Sequence, residues 1–428
     1  MSVPIAAVLF IFLLVFGAPI FLVLGMVAGV SYSLDGRPLI GLAQKIIDEM
    51  NSPTLVAVPL FVMAARVMDT GGISRALIDA ASTWVGQARG GLAFVCVVTC
   101  TIFAAISGSS VATALAMAVI LVPAMASRGY PRPFTLGVIG ASGTLGILIP
   151  PSLPMIVYAV ITDTSIARLF LAGVIPGLLQ AGLFMAVILF IARKEKLPRE
   201  PRPSFKTFVR TNRIALPALM LPVIVLGGIY SGIVTVSEAA GLSTALAILL
   251  AIYVYRQIKW SDVPTILAQA IRSSATIMII VAMAFGFSHW LTETGLTRTL
   301  LDWVTQSGMS KWQFLLVINV ILLMLGMILE VFATLLLTLP LIVPIMIALE
   351  IDPVHFAIMM IINMELGLLT PPIGLNLFVL ANASKAKVGE VVKGVLPFIF
   401  AMLVLLILIT FIPTISTFLP NMVYGVSK

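Results

Sequence analysis

The chain has 428 residues, of which 61% are hydrophobic and 10% are charged, and its mean hydropathy is +1.17. These values exclude a soluble globular domain and predict an all-α polytopic membrane protein. Most of the formal net charge of +8 lies in residues 193–213, which contain eight Lys or Arg and two Glu. The rest of the chain is nearly neutral, so we expect membrane lipid and no nucleic acid around it.

The N-terminal third begins with apolar segments. Residues 1–30 lack a basic n-region and a small-residue cleavage site, so we interpret them as a retained membrane helix and not as a signal peptide. Residues 39–50 are a candidate for an additional interfacial helix. Cys96 and Cys100 lie four residues apart on one apolar helical face, and this spacing matches no metal or redox motif. We interpret both cysteines as packing residues.

Two segments, 91–126 and 313–348, are each about twice as long as one hairpin arm. Both have polar or small residues at their centres: the first contains "SGSS" at 107–110, and the second contains Glu330 close to Gly326. We predict that both are re-entrant helical hairpins, which enter and leave the membrane on the same side. Each is followed by an apolar segment broken by two prolines, near 134–160 and near 354–381.

The two halves of the chain are related by an internal duplication. A shift of 221 residues aligns them without a gap and keeps four prolines in register. The aligned pairs are Pro123 with Pro344, Pro150 with Pro371, Pro151 with Pro372, and Pro176 with Pro397. We therefore divide the chain into a first repeat (1–192), a basic cytoplasmic linker (193–213) and a second repeat (214–428).

The repeats are predicted to be inverted relative to each other. Five predicted spans lie between the two hairpins, and an odd number of crossings reverses the orientation of the second half. The whole count is nine crossings plus two hairpins. The charges agree, because Glu350 and Asp352 fall outside while most Lys and Arg fall on the side of the linker. Arg168 and Arg298 fit this topology less well.

The proline pairs predict sites for a cation. A proline has no N–H, so each pair leaves carbonyl groups one turn earlier without a helical partner. In inverted-repeat transporters such freed carbonyls coordinate a cation near the membrane midplane. The candidates are the carbonyls of residues 146–148 and 367–369, the Thr370 hydroxyl, and the two hairpin tips. Alternatively, the prolines only kink the helices, and nearby Ser or Thr hydroxyls satisfy the carbonyls.

A site for an anionic solute is harder to predict, because the central segments contain no obvious Arg or Lys. Helix N-termini attract anions through their free N–H groups and their dipole. The polar residues at the predicted N-termini are Ser109, Ser110, Ser152 and Asn376. Glu330 would repel a carboxylate, so we expect it to bind a hydroxyl or amide of the solute or to order the hairpin. The competing interpretation is that the serines and Asn376 are ordinary helix caps.

Other functional classes fit less well. An intramembrane serine protease could use Ser109 or Ser110, but the two histidines, His289 and His355, are predicted at the outer ends of their spans. A channel is a further alternative, although hairpins that open from opposite faces favour alternating access. No GxxxxGK[ST] loop is present, so no ATP site is expected.

Four segments together resemble one transporter family: "FAAISGSSVATALAMAVILVPAM", "GASGTLGILIPPSLPMIVYAV", "GGIYSGIVTVSEAAG" and "NMELGLLTPPIGLNLFVLA". They resemble the large membrane subunit of tripartite ATP-independent periplasmic (TRAP) transporters, and the resemblance covers nearly the whole chain. It implies Na⁺-driven uptake of an organic acid, such as sialic acid or a C4-dicarboxylate, across the bacterial inner membrane. It also implies an elevator movement of the hairpin-containing domain.

The resemblance further implies two protein partners and two sodium sites. The partners are a small four-helix membrane subunit, expected to be a separate chain here, and a periplasmic substrate-binding protein. Related carboxylate/sodium symporters work without a binding protein and remain the alternative. The family's sodium positions fall here on Ser107, Gly108, Gly143, Gly146, Leu148 and Pro150 for the first site, and on Gly326, Gly367, Thr370 and Pro371 for the second.

Overall fold

The computed structural model describes residues 3–425, which form twenty α-helices and no β-strand. The first ten helices are α1 (Val3–Val15), α2 (Ile20–Leu34), α3 (Leu39–Met50), α4 (Ala57–Thr70), α5 (Ile73–Val85), α6 (Gly91–Ser107), α7 (Ser110–Ala126), α8 (Arg132–Leu148), α9 (Leu153–Thr162) and α10 (Ile166–Lys194). The other ten are α11 (Phe205–Tyr230), α12 (Val236–Leu249), α13 (Val263–Glu293), α14 (Leu296–Gln306), α15 (Lys311–Gly326), α16 (Val331–Ala348), α17 (Pro353–Leu369), α18 (Leu375–Ala383), α19 (Val388–Phe411) and α20 (Thr414–Tyr424).

Many of these helices are suited to a bilayer. Among residues 3–425, eight helical stretches are long and apolar enough to cross a membrane. They are Pro53–Thr70, Arg132–Thr162, Ile166–Lys194, Phe205–Tyr230, Val236–Val254, Val263–Glu293, Val331–Ala348 and Val388–Phe411. A helix satisfies its backbone groups internally, which a segment in hydrocarbon requires. The prediction of an all-α polytopic membrane protein is confirmed.

Both predicted hairpin segments are helical pairs with a short connection. The first pair is α6 and α7, joined at Gly108, which has φ +60° and caps α6 in the left-handed conformation that glycine adopts without strain. The second pair is α15 and α16, separated by residues 327–330. The apolar segments after the hairpins are also broken in two, as α8 and α9 and as α17 and α18.

Each break lies at a proline pair. Helix α8 ends at Leu148, before the cis peptide Pro150–Pro151, and α17 ends at Leu369, before the cis peptide Pro371–Pro372. The following half-helices start at Leu153 and Leu375. Because proline cannot donate to a carbonyl one turn earlier, the helical ladder has to stop at these points.

The centre of the molecule is built around the two broken helices. All residues of α8 from Phe134 to Leu148 and all of α17 from Val354 to Leu369 are buried. The first hairpin packs against α8, and α15 of the second hairpin packs against α17. On the other side, α4 packs mainly against α12 and α13. The broken helices therefore have hairpins beside them, and a second group of helices, α4, α12 and α13, touches the hairpins through α4 with α6 and α13 with α16.

The two broken helices run antiparallel. Arg132 at the start of α8 donates to the carbonyls of Ser384 and Lys385 at the end of α18, over 2.8 and 2.9 Å. The Tyr158 hydroxyl in α9 donates to the carbonyl of Pro353 at the start of α17 over 2.7 Å. Inverted repeats require such an antiparallel pairing of the broken helices. The inversion itself stays a prediction.

Helices from the two halves also touch through their backbones. A Cβ added to Gly137 in α8 would overlap the carbonyl of Gly394 in α19, and one added to Gly394 would overlap the carbonyl of Pro133. Small residues of this kind allow close helix crossings in membranes, where tight packing has to replace the hydrophobic effect. The basic linker packs back on the first half, because Pro198 accepts a hydrogen bond from the Gly90 N–H and Glu200 pairs with Arg128.

Candidate functional site

The tip of the first hairpin lies directly on the first helix break. A Cβ added to Gly146 in α8 would lie 2.6 Å from the carbonyl oxygen of Ser109, so only glycine allows this approach. A Cβ added to Gly108 would lie 3.1 Å from the carbonyl oxygen of Pro151. The fold therefore brings the predicted residues Ser107, Gly108 and Gly146 together in one cluster, which we call the first tip cluster.

Hydroxyl groups add oxygen atoms to the first tip cluster. The Ser107 and Thr113 hydroxyls lie 2.7 Å apart, and the Thr113 hydroxyl donates to the Ser109 carbonyl over 2.7 Å. Ser107 and Thr113 are both buried. Their oxygen lone pairs are the kind of ligand that a hard monovalent cation prefers. Thr113 was not predicted from the sequence, although its helical position one turn after Ser109 is a signal for it.

The three freed carbonyls before Pro150 have different surroundings. The Ile147 carbonyl accepts a hydrogen bond from the Ser152 hydroxyl over 2.5 Å. The Leu148 carbonyl is directed at Gly173 in α10, where a Cβ would overlap it. For Ile147 the alternative interpretation holds, because a serine satisfies its carbonyl. Of the three, the backbone of Gly146 is the part that faces the hairpin tip.

The remaining predicted residue in α8 lies one turn before Gly146. A Cβ added to Gly143 would lie 2.7 Å from the Cβ of Ala114 in α7. Gly143 therefore allows α7 to approach α8 closely, and it touches the first hairpin without being part of its tip. Pro150 lies in the cis peptide that ends the helix.

The second break has the same construction. A Cβ added to Gly367 in α17 would lie 2.5 to 2.7 Å from the backbone atoms of Gly326, at the end of α15. The Thr370 hydroxyl donates to the Leu366 carbonyl over 2.6 Å, which leaves its lone pairs free. The Gly374 N–H, beyond the Pro371–Pro372 peptide, donates to the Met327 carbonyl over 3.1 Å. We call this group the second tip cluster.

A cavity of about 320 Å³ lies beside the tips of both hairpins. From the hairpins it is lined by Phe103, Ser107, Gly108, Ser109, Ser110, Val111, Ala112, Leu115, Glu330, Val331 and Phe332. Its volume is within the usual range for small-molecule sites. The predicted solute residues Ser109, Ser110 and Glu330 therefore share one cavity.

The other two predicted solute residues do not line this cavity. Ser152 is fully buried, caps α9 by accepting from the Met155 N–H, and donates to Ile147. Asn376 is also fully buried, and its side-chain amide donates to the Ser110 hydroxyl over 2.7 Å. In this structure Ser152 acts as a helix cap and Asn376 contacts Ser110, so their contact with solute stays a prediction.

Glu330 supplies to the cavity wall a polar group without a hydrogen-bond partner in the described part of the chain. It precedes the first turn of α16 but makes no side-chain capping bond. Its Oε1 atom is buried and has no hydrogen-bond partner within residues 3–425. An unpaired carboxyl oxygen in such a place is costly, so it is poised to accept a hydrogen bond from a ligand.

Charged residues on α4 also line the cavity and were not predicted from the sequence. Arg66 and Asp69 face it from α4, and Ala270, Ser273 and Ile277 face it from α13. Arg66 donates to the Gln269 side chain over 3.0 Å, and its guanidinium lies 3.9 Å from Asp69. The available signal was the charged pair itself, since charges within an apolar span are expected to face a cavity or a partner.

The histidines and Glu365 lie elsewhere. His289 is 3.5 Å from Glu293, and His355 is 3.0 Å from the Ser416 hydroxyl; neither lines the cavity that contains Ser109 and Ser110. Glu365 is fully buried and accepts from the Gln180 side chain over 2.6 Å, so it pairs across the helix bundle. These positions leave the two serines without a histidine base at the cavity.

Comparisons with known proteins agree with one another. Residues 7–415 match the family described as "Tripartite ATP-independent periplasmic transporter, DctM component". The chain is 44% identical to the C4-dicarboxylate TRAP transporter large permease protein DctM of Pseudomonas aeruginosa, over 89% of each chain. It is 37% identical to the protein of the same name from Rhodobacter capsulatus, over 99% of each chain.

A solved structure shares the fold. The YdaH transporter of Alcanivorax borkumensis is similar with a TM-score of 0.66, over 95% of this chain and 98% of the YdaH chain. The sequence identity between the two is 14%, so the likeness concerns the fold alone. The described helices thus have the arrangement of a known membrane transporter.

Proposed function

Since the chain belongs to the DctM component family of tripartite ATP-independent periplasmic transporters, we propose that it imports an organic acid together with Na⁺. It is a transporter permease and not an enzyme, and it is a multi-pass protein of the inner membrane. The solute of the proposal is a carboxylate-bearing acid, either a C4-dicarboxylate, as in the names of both relatives, or sialic acid.

The observation that carries the proposal is the repeated contact between a hairpin tip and a broken helix. In both clusters a glycine of the broken helix touches the backbone of the tip: Gly146 at Ser109, and Gly367 at Gly326. A structure built only to kink a helix does not need a second segment to approach that closely. Two such contacts next to one cavity support two ion sites beside one solute site.

The proposed ligands in each cluster are oxygen atoms. At the first site they are the Ser107 and Thr113 hydroxyls and the backbone near Gly146. At the second site they are the Thr370 hydroxyl and the carbonyls around the Gly326–Gly367 contact. Neither cluster offers a carboxylate, which suits a monovalent cation better than Ca²⁺ or Mg²⁺.

The charge of the cavity also supports coupling to cations. Its charged lining residues are Arg66, Asp69 and Glu330, which sum to one negative charge when all are ionised. An anionic solute entering this cavity adds further negative charge in a medium of low dielectric constant. Two Na⁺ ions bound at the adjacent tips would compensate that charge, so solute and ions would bind together more tightly than either alone.

The packing of the helices suggests how the site moves. The first hairpin packs mainly on α8, whereas α4 packs mainly on α12 and α13. The cavity is lined by both groups, which also touch through α4 with α6 and α13 with α16. In an elevator mechanism the hairpin group slides past the other and carries solute and ions across. The proposal includes two partners, a small four-helix membrane subunit and a periplasmic binding protein that delivers the solute.

Uptake by reconstituted liposomes tests the proposal. The permease with its small subunit is placed in liposomes, and radiolabelled acid and binding protein are added outside. Uptake should require an inward Na⁺ gradient, should stop when the binding protein is omitted, and should not depend on ATP. Equal uptake with K⁺ or choline in place of Na⁺ would exclude sodium coupling. Equal uptake without the binding protein would favour the binding-protein-independent symporters.

A further inference from the structure

We propose that Arg66 on α4 binds a second anionic group of the solute, so that the cavity selects doubly charged acids. This inference rests on the proposed function and specifies its substrate class. The hairpin side of the cavity offers one place for a carboxylate, at the start of α7, where the Ser109 and Ser110 side chains line the wall. Arg66 supplies a cationic group to the same cavity from the facing group of helices.

The geometry of Arg66 suits this role. One guanidinium nitrogen donates to the Gln269 side chain on α13 over 3.0 Å, and another lies 3.9 Å from Asp69 one turn along α4. Partners on two sides orient the guanidinium plane. A guanidinium has five N–H donors, and the side chain keeps 46% of its surface exposed, so donors remain for a ligand.

The charge balance of the cavity requires an arginine for such a solute. Asp69 and Glu330 both repel a carboxylate, and Arg66 is the single cationic side chain in the cavity lining formed by residues 3–425. A monoanion whose single carboxylate binds at the start of α7 has no second anionic group to pair with Arg66. A dicarboxylate spanning the cavity would pair one end with Ser109 and Ser110 and the other end with the guanidinium, in a bidentate geometry that lysine cannot reproduce.

The two anchors lie on different helix groups, which touch each other through α4 with α6 and α13 with α16. Ser109 and Ser110 belong to the first hairpin, whereas Arg66 belongs to the group of α4, α12 and α13. A solute that bridges them stabilises the arrangement in which the hairpin tip and α4 face one cavity. Solute binding therefore stabilises this arrangement, and the stabilisation equals the binding free energy that the Arg66 contact adds.

Equilibrium binding of two matched probes tests the proposal. Succinate and its monoamide, succinamate, have nearly the same shape and differ by one charge. Binding to the purified permease with its small subunit is measured by calorimetry in saturating Na⁺. The unmodified protein should bind succinate roughly tenfold or more tightly than succinamate, the size expected for one hydrogen-bonded charge pair. Arg66→Gln should remove this preference and leave succinamate binding within about twofold, and Arg66→Lys should restore it only in part.

The matched control is Arg272→Gln. Arg272 is exposed on α13, next to the cavity-lining Ser273, but does not itself line the cavity. Its loss removes the same charge from the same region and should not change the preference for succinate. An equal effect of Arg66→Gln and Arg272→Gln, or an equal weakening of both probes by Arg66→Gln, would overturn the role of Arg66. Na⁺-dependent binding of sialic acid without binding of succinate would overturn the dianion inference but leave the proposed function intact, whereas no Na⁺-dependent binding of any of these acids would overturn both.

Discussion

Replacing Gly367 by alanine should weaken Na⁺ binding at the second tip cluster. The new Cβ would lie 2.5 Å from the carbonyl carbon of Gly326 and 2.7 Å from its Cα and carbonyl oxygen. Carbon atoms in contact are normally about 3.5–4.0 Å apart. Because all three neighbours are backbone atoms, no side chain can rotate away, and the end of α15 has to move by about 1 Å.

The size of the effect follows from that displacement. Overpacking of this kind costs about 1–3 kcal/mol. Ion sites require ligand distances within about 0.2 Å of their best values. The free-energy cost of a shift of about 1 Å therefore destabilises mainly the Na⁺-bound state. The Na⁺ concentration for half-maximal uptake should therefore rise by about 5- to 150-fold. The measurement is initial uptake at a series of external Na⁺ concentrations, with thermal unfolding of the same preparation as a check on assembly.

Two other glycines provide matched controls. A Cβ added to Gly326, on the other side of the same contact, would meet the Cα of Gly367 at 3.4 Å, which is a nearly ordinary distance. A Cβ added to Gly182 in α10 would meet no heavy atom within 4 Å. Both alanine variants should need about the same Na⁺ as the unmodified protein. An unchanged Na⁺ requirement in Gly367→Ala, or an equal rise in Gly326→Ala, would refute the reasoning.

Three further predictions concern other parts of the molecule. Ser152→Ala leaves a buried carbonyl without its donor, so it should lower the melting temperature through a loss of about 1–3 kcal/mol while the KM for solute stays unchanged; a raised KM would contradict the cap role. Asn376→Ala releases the Ser110 hydroxyl into the cavity and should raise the KM as well as lower stability, which uptake kinetics would detect. A cysteine at Ser204 should be labelled only from the cytoplasm and one at Glu350 only from the periplasm; labelling from one face would exclude inverted repeats.

The positions of the breaks could be predicted from the sequence, because proline and glycine have fixed local consequences. A proline pair ends a helix in any surroundings, and helices α8 and α17 end as the pairs at Pro150 and Pro371 require. The presence of small or polar residues at the centres of 91–126 and 313–348 was sufficient to place the two helical pairs. These features depend on residues close together in the chain.

Other features depend on tertiary packing and could not be predicted. The direction of the Leu148 carbonyl is set by the close approach of α10 at Gly173. Arg66 reaches the cavity only because α4 lies opposite the first hairpin, a contact between segments some forty residues apart. Asn376 was assigned to solute because of its place at a helix start, but its partner Ser110 lies in the other half of the chain.

The backbone contact between α8 and α19 has a consequence for the history of the molecule. At this crossing neither Gly137 nor Gly394 can gain a side chain without overlapping a carbonyl that belongs to the opposite half. A duplicated gene normally allows its two copies to diverge independently. Here a substitution at either glycine would push the two halves apart, so each half has to keep its own glycine for as long as it packs on the other.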